Sequence, residues 1–217
     1  FLASTLSGFP DGLVIVSGSS GKSTTTKMLV AVLEAHGVRV FTNPSTANIA
    51  QGLTSALLER VNLLGRIDAD VAVLEMDEGH GAAIAPRLSP RTVLLTNVMT
   101  DQIDRFHDSE KVAGMLQRIA SRATGAVVIN ADDAMLTQLA ESPAVTAAGP
   151  AIRRYGVNAE VLAANPRGLG YTRTSELRLA PADGTLVVAV DGTKATIALP
   201  SLPGPHAISL PARGTHY

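Results

Sequence analysis

Leu13-Val14-Ile15-Val16 passes through one serine into Gly18-Ser19-Ser20-Gly21-Lys22-Ser23-Thr24. An apolar run this short, broken by glycine and resumed by a helical pattern, is a strand–turn–helix unit. A helix starting there leaves its first N–H groups without intrahelical acceptors, with the positive end of its dipole behind them. That arrangement is an anion site. The spacing is Gly-x-x-Gly-Lys-Ser, a shortened P-loop, because Val16 stands where the strict motif has its first glycine. Gly18, Ser19, Ser20, Gly21, Lys22, Ser23 and Thr24 are therefore expected to cradle nucleotide phosphates. Lys22 is long enough to reach the terminal phosphates, and the Ser23 hydroxyl suits a Mg²⁺ ion. The competing reading is an ordinary Gly/Ser turn that caps a helix. The strand before it and the helix after it favour the phosphate site.

The first two-thirds of the chain repeats this alternation. Strands are predicted over Leu13–Ser17, Val38–Thr42, Asp70–Met76, Arg91–Asn97 and Ala126–Asn130. Helices are predicted over Lys22–His36, about Asn48–Leu64, Asp77–Leu88, Ser109–Ala123 and Asp133–Glu141. Nearly continuous apolar strands between helices mean an α/β fold, a mostly parallel sheet with helices on both faces. From about Gly149 the helical period disappears. Thr185–Val190 and Thr193–Leu199 around Asp191-Gly192 read as a hairpin, so a small antiparallel β appendage is expected near the C-terminus.

Composition removes several function classes. The chain has 217 residues, 46% hydrophobic but only 3% aromatic, with no Trp, so its core is built from aliphatic side chains. A formal charge of −1 gives no electrostatic footprint for nucleic acid or an anionic membrane. The absence of cysteine excludes disulfides, thiolate metal sites and cysteine nucleophiles, and fits a cytoplasmic setting. No apolar run approaches the roughly 18–20 residues of a membrane span. The five histidines (36, 80, 107, 206 and 216) show no metal-ligand spacing. The chain opens on Phe1-Leu2-Ala3 and stops after Gly214-Thr215-His216-Tyr217, so both ends read as cuts through a longer protein.

Four blocks together resemble the central, ATP-binding domain of the Mur ligase superfamily. They are Gly18-Ser-Ser-Gly-Lys-Ser-Thr-Thr-Thr, Val73-Leu-Glu-Met-Asp-Glu, Leu95-Thr-Asn-Val-Met-Thr-Asp-Gln-Ile-Asp-Arg-Phe, and Val128-Ile-Asn-Ala-Asp-Asp. Within the superfamily, Thr42-Asn-Pro-Ser-Thr-Ala-Asn-Ile and Asp101-Gln102-Ile103-Asp104-Arg105 look most like the MurT branch, the ligase-like subunit of lipid II isoglutaminyl synthase. The resemblance implies that residues 1–149 are the nucleotide-binding core. It makes 150–217 a truncated antiparallel β part of the same central domain, and the C-terminal ligase domain absent. It also implies a reaction. The D-glutamate α-carboxylate of lipid II is phosphorylated by ATP, and ammonia from a glutaminase partner (GatD-like) converts the acyl phosphate to D-isoglutamine. Without its closing domain, the chain is expected not to turn over alone.

The resemblance also distributes roles. A carboxylate approaching a triphosphate needs positive charge and alignment rather than a protein nucleophile. Lys22 and Glu75 are expected to be the catalytic pair, with Lys22 supplying charge and Glu75 directing the metal. The metal set is Ser23, Glu75 and Gln102, the last standing where other Mur ligases carry a histidine. Asp77 and Glu78 follow Glu75 immediately and can substitute for it, but all three acids also suit a helix start. Asp101 and Asp104 either cap a turn or serve the site, and Asn130, Asp132 and Asp133 look like a strand-to-helix turn. No lysine stands where many Mur ligases carry a modified one; Lys111 comes too early. A four-cysteine zinc ribbon, frequent in MurT sequences, is impossible here. Two other functions fit the same residues: a Mur-type amino-acid, folate or cyanophycin-type ligase, and a P-loop regulator that binds nucleotide without forming bonds.

Overall fold

The computed structural model describes residues 2–44, 50–99, 109–164, 184–191 and 193–209. The elements in chain order are α1 (Leu2–Leu6), β1 (Leu13–Ser17), α2 (Lys22–Ala35), β2 (Val40–Thr42), α3 (Ala50–Leu58), β3 (Val71–Glu75), α4 (Glu78–Ile84), β4 (Thr92–Leu95), α5 (Ser109–Ala120) and β5 (Ala126–Asn130). They continue with α6 (Ala134–Ala140), α7 (Pro143–Thr146), β6 (Ala151–Val157), α8 (Ala159–Ala163), β7 (Thr185–Asp191), β8 (Lys194–Ala198) and β9 (Pro205–Ser209).

The strands form one sheet in the order β2-β3-β1-β4-β5-β6-β7-β8-β9. Pairing is parallel from β2 to β7 and antiparallel across β7–β8–β9. The chain leaves β1 toward β2 on one side, while β4 lies on the other. The carboxyl end of β1 is therefore a switch point, where open α/β sheets bind ligands. Register places the chemistry there: Val16, one residue before the end of β1, is paired with Glu75 in β3 and with Leu94 in β4.

The two faces of the sheet are covered unequally. One carries the main core, in which Leu13, Ile15, Leu74, Val93, Leu95, Val127 and Ile129 meet Leu53 and Leu57 of α3, Leu116 and Ile119 of α5, and Leu136 of α6. On the other, α2 lays Leu29, Val30 and Leu33 against Val14, Val16, Val71 and Val73. Thr26 is the one buried residue of α2. Leu116 is fully buried, so Leu116→Ala is expected to cost about 2–5 kcal/mol through lost transfer energy and a residual cavity. Urea unfolding checks this, and a loss under about 1 kcal/mol means the site collapses around the gap.

Several boundaries differ from the sequence expectations for local reasons. The helix predicted to Leu64 stops at Leu58, because Asn62 Oδ1 accepts the amides of Leu64 at 2.9 Å and Arg66 at 3.1 Å and turns the chain. Leu63 and Leu64, which extend the apolar pattern, instead face solvent. Strand β2 starts two residues late, after Gly37 at φ 79°. Periodicity marks no element before Leu13, yet α1 delivers Leu6 to the core, and Phe9 beyond it stacks on Phe41 with centroids 5.8 Å apart. Strand β6 escapes notice because its half-exposed sequence Ala-Ile-Arg-Arg-Tyr-Gly-Val lacks the continuous apolar run of a buried parallel strand. It extends the parallel sheet, and β7 does the same, so the antiparallel part begins only at the β7–β8 hairpin. Gly192 of that hairpin turn lies outside the described residues.

Candidate nucleotide site

The loop between β1 and α2 is held to the end of β4 by a set of short contacts. The Ser19 amide donates to Asn97 O at 2.9 Å, and the Ser20 amide to Asn97 Oδ1 at 2.9 Å. Asn97 Nδ2 and Thr96 Oγ1 donate to Ser20 O at 3.2 and 2.7 Å, and the Met99 amide donates to Ser19 Oγ at 3.0 Å. Gly18, at φ 132°, makes this approach possible, since a Cβ there would stand 2.2 Å from Thr96 Oγ1. The amides of Ser19 and Ser20 are thus engaged inside the protein.

The amides that follow are different. Gly21 caps α2 at φ 78° with no side-chain hydrogen bond to the helix start. The first bond back to the loop runs from the Thr25 amide to Gly21 O at 2.9 Å. Among the described residues, no acceptor meets the amides of Gly21, Lys22, Ser23 or Thr24. Four N–H groups thus stand at the positive end of a fourteen-residue helix, an arrangement suited to an anion.

The acids expected beside the loop divide their work. Ser23 Oγ donates to Glu75 Oε1 at 2.9 Å, although 52 positions separate the two residues. Glu75 is buried, 4% exposed, and its backbone is gripped by Asn43. The Glu75 amide donates to Asn43 Oδ1 and Asn43 Nδ2 donates to Glu75 O, both at 3.0 Å. An amide side chain therefore extends the β2–β3 ladder by one step past Thr42↔Val73. Asp77 accepts from the amides of Gly79 and His80 and from His80 Nδ1 at 3.1–3.3 Å, so it caps α4. Glu78 faces Lys22, with Oε2 3.4 Å from Nζ. Lys22 also donates to Gly18 O at 2.5 Å and Ser19 O at 3.4 Å.

Asn130, Asp132 and Asp133 form the strand-to-helix turn expected of them, and they brace the neighbouring strand ends. Asp133 caps α6 through Met135 and Leu136 and accepts the Val98 amide at 2.7 Å, while Asp132 accepts the Val157 amide at 2.9 Å. Burial raises the Asp133 carboxyl above the usual range, opposed by those three amides. Tyr155, half-buried beside both acids, is also pushed upward, by desolvation first and by the two carboxylates second.

Gln102, Asp101 and Asp104 fall outside the described residues, as do the segments 45–49 and 210–217. Sequence reasoning assigns no role to Thr96, Asn97 or Asn43; the visible signal is their place at the carboxyl ends of predicted strands, Asn43 directly after Val38–Thr42, and Thr96 and Asn97 closing Arg91–Asn97. Asn43→Ala is expected to strip the buried Glu75 amide and carbonyl of partners and cost about 2–4 kcal/mol. Equilibrium denaturation measures it, and wild-type stability in the variant would mean the ladder ends at Thr42.

Oxygen donors fit a hard cation here. The Ser23 hydroxyl and the Glu75 carboxylate lie side by side and are the oxygen ligand types that Mg²⁺ prefers. Among the described residues no group of three or more His, Cys, Asp or Glu could hold a metal.

An uncapped helix start at the switch point of a parallel sheet, with a hydroxyl–carboxylate pair beside it, is the architecture of a P-loop domain. Comparison with known proteins specifies the family. Residues 16–209 match the Mur ligase middle domain, and the chain belongs to that family of ATP-dependent carbon–nitrogen ligases. It is 30% identical over 129 residues to the MurT subunit of the lipid II isoglutaminyl synthase (glutamine-hydrolyzing) of Staphylococcus aureus (strain COL), covering 59% of this chain and 29% of that one. To the UDP-N-acetylmuramate–L-alanine ligase of Frankia casuarinae it is 35% identical over 194 residues, 83% of this chain and 36% of the relative. The fold matches the MurF ligase of Thermotoga maritima in complex with ADP at a TM-score of 0.64 and 19% identity, over 97% of this chain and 43% of that one. The chain thus spans about a third of the length of these curated relatives. No helix among the described residues is long and apolar enough to cross a membrane.

Proposed function

We propose that this domain binds ATP through the amides of Gly21, Lys22, Ser23 and Thr24, and that it serves a MurT-type amidation of the D-glutamate α-carboxylate of lipid II. The observation that carries the nucleotide reading is the unsatisfied start of α2. Ser23 and Glu75 would hold Mg²⁺, with the remaining ligands drawn from phosphate oxygens and water. The ion, when bound, neutralises charge on the triphosphate.

In this reading Lys22 offers its ammonium to the terminal phosphates, and the loop clipped by Asn97 fixes their height above the sheet. The substrate carboxylate displaces ADP at the γ-phosphorus and becomes an acyl phosphate. Ammonia from a glutaminase subunit then adds to its carbonyl carbon, phosphate departs, and one proton is released as the amide forms. The protein contributes alignment and charge, and no side chain becomes covalently attached. Similarity to a MurT subunit supports the substrate and the GatD-like partner, and a cytoplasmic setting fits both.

A second reading, a UDP-N-acetylmuramate–amino-acid ligase, is favoured by the longer match, which reaches 83% of this chain. The native protein, purified with a glutaminase, separates the two. ATP consumption that requires lipid II and glutamine supports the first reading. Consumption driven by a muramyl nucleotide and L-alanine supports the second. Nucleotide binding without either leaves the regulator.

A further inference from the structure

The Lys22–Glu78 pair is oddly built for a phosphate site. The Glu78 side chain is 1% exposed and the Lys22 side chain 12%. Lys22 is the one partner the Glu78 carboxylate has among the described residues, at 3.4 Å. Glu78 opens α4 as its first residue, where the helix dipole favours a negative charge. A buried carboxylate with a single cation loses most when that cation leaves, because its charge stays desolvated without compensation. Lys22 also closes over Gly18 O and Ser19 O, so its ammonium is turned back on the loop that the phosphates would occupy.

We infer that Glu78 is a positioning residue that competes with the triphosphate for Lys22, holding the lysine back until a cation arrives at Ser23 and Glu75. The inference rests on the nucleotide reading above. Binding of ATP without Mg²⁺ would pull Lys22 off Glu78 and leave Glu75 and Glu78 beside incoming phosphates, two unfavourable changes at once. With Mg²⁺ at Ser23 and Glu75 the local charge is balanced, and the lysine transfers at lower cost. Glu78 thereby makes nucleotide affinity depend on the cation more steeply than the two ligands alone would.

The test is Glu78→Gln, which keeps size and burial and removes the charge. Two readouts are followed on the 217-residue chain, with thermal melting to confirm folding. The first is titration with a fluorescent ATP analogue, with Mg²⁺ and with EDTA. The variant is expected to bind about tenfold more tightly in EDTA, with a clearly smaller gain in Mg²⁺. A merely structural role for Glu78 would weaken binding in both. The second is reductive methylation followed by mass spectrometry, with Lys27, Lys111 and Lys194 as internal references. Lys22 of the variant is expected to react several-fold faster than in the wild type. Equal or weaker nucleotide binding in EDTA overturns the inference, and so does an unchanged Lys22 rate. Wild-type chain that fails to bind nucleotide even in Mg²⁺ defeats the underlying reading instead, and the inference falls with it. An unfolded variant is replaced by Glu78→Met, judged by the same two outcomes.

Discussion

Gly18→Ala is expected to lower ATP affinity at least about 100-fold, roughly 2.7 kcal/mol, while leaving the sheet folded. The added Cβ would lie 2.2 Å from Thr96 Oγ1 and 3.0 Å from the Asn97 amide and carbonyl, on a residue at φ 132°. Neither neighbour can yield, since Thr96 and Asn97 continue the chain from β4 and grip the loop through Ser19 and Ser20. The loop must lift instead, carrying the free amides away from their common focus. Gly21→Ala provides the internal comparison. Gly21 also has positive φ, 78°, but no atom stands within 4 Å of its would-be Cβ. It suffers only left-handed backbone strain of about 1–2 kcal/mol, and its loss of affinity is expected to be several-fold. Titration of both variants with a fluorescent nucleotide decides it; Gly18→Ala binding within threefold of wild type would show that the clip to β4 does not set the phosphate cradle.

Glu75→Gln removes the charge proposed to hold the cation while preserving an acceptor for Ser23 Oγ and the backbone bonds to Asn43. The fold is therefore expected to survive, and the effect should fall on the metal. In the presence of Mg²⁺, ATP affinity is expected to drop at least tenfold, and raising Mg²⁺ from micromolar to millimolar should no longer tighten binding appreciably. Calorimetric titration at several Mg²⁺ concentrations measures both. A variant whose affinity still climbs with Mg²⁺ as in the wild type would move the cation to another carboxylate, for which Glu78 and Asp77 are the neighbours.

What the sequence displayed, and what it hid, follows from the range of each interaction. The β1–loop–α2 unit was legible because its period switches from strand to helix across two glycines, all within a dozen residues. The closeness of Ser23 and Glu75 was legible through the family resemblance, which set both in the metal set; Ser23 lies in the first turn of α2 beyond β1 and Glu75 ends β3, and those adjacent parallel strands bring their carboxyl edges together. Asp133 was readable as a helix cap from its place before Ala134, but its bond to the Val98 amide was not. The Asn97–Ser20 clip spans 77 positions and leaves no local pattern. The division among the acids was equally hidden: Glu75, Asp77 and Glu78 are alike in composition and burial, and only three dimensions send one to a hydroxyl, one to a helix cap and one to a lysine. Strand β6 was lost for the opposite reason, since arginines on a half-covered sheet disguise it.

The Asn43 carboxamide replaces a peptide unit in the hydrogen bonding to the Glu75 backbone. In a saturation screen read out by growth or turnover, position 43 should therefore score like a reactive centre, tolerating almost nothing. Anyone ranking sites by such a screen would count one extra member in the chemistry, when what the asparagine does is carpentry.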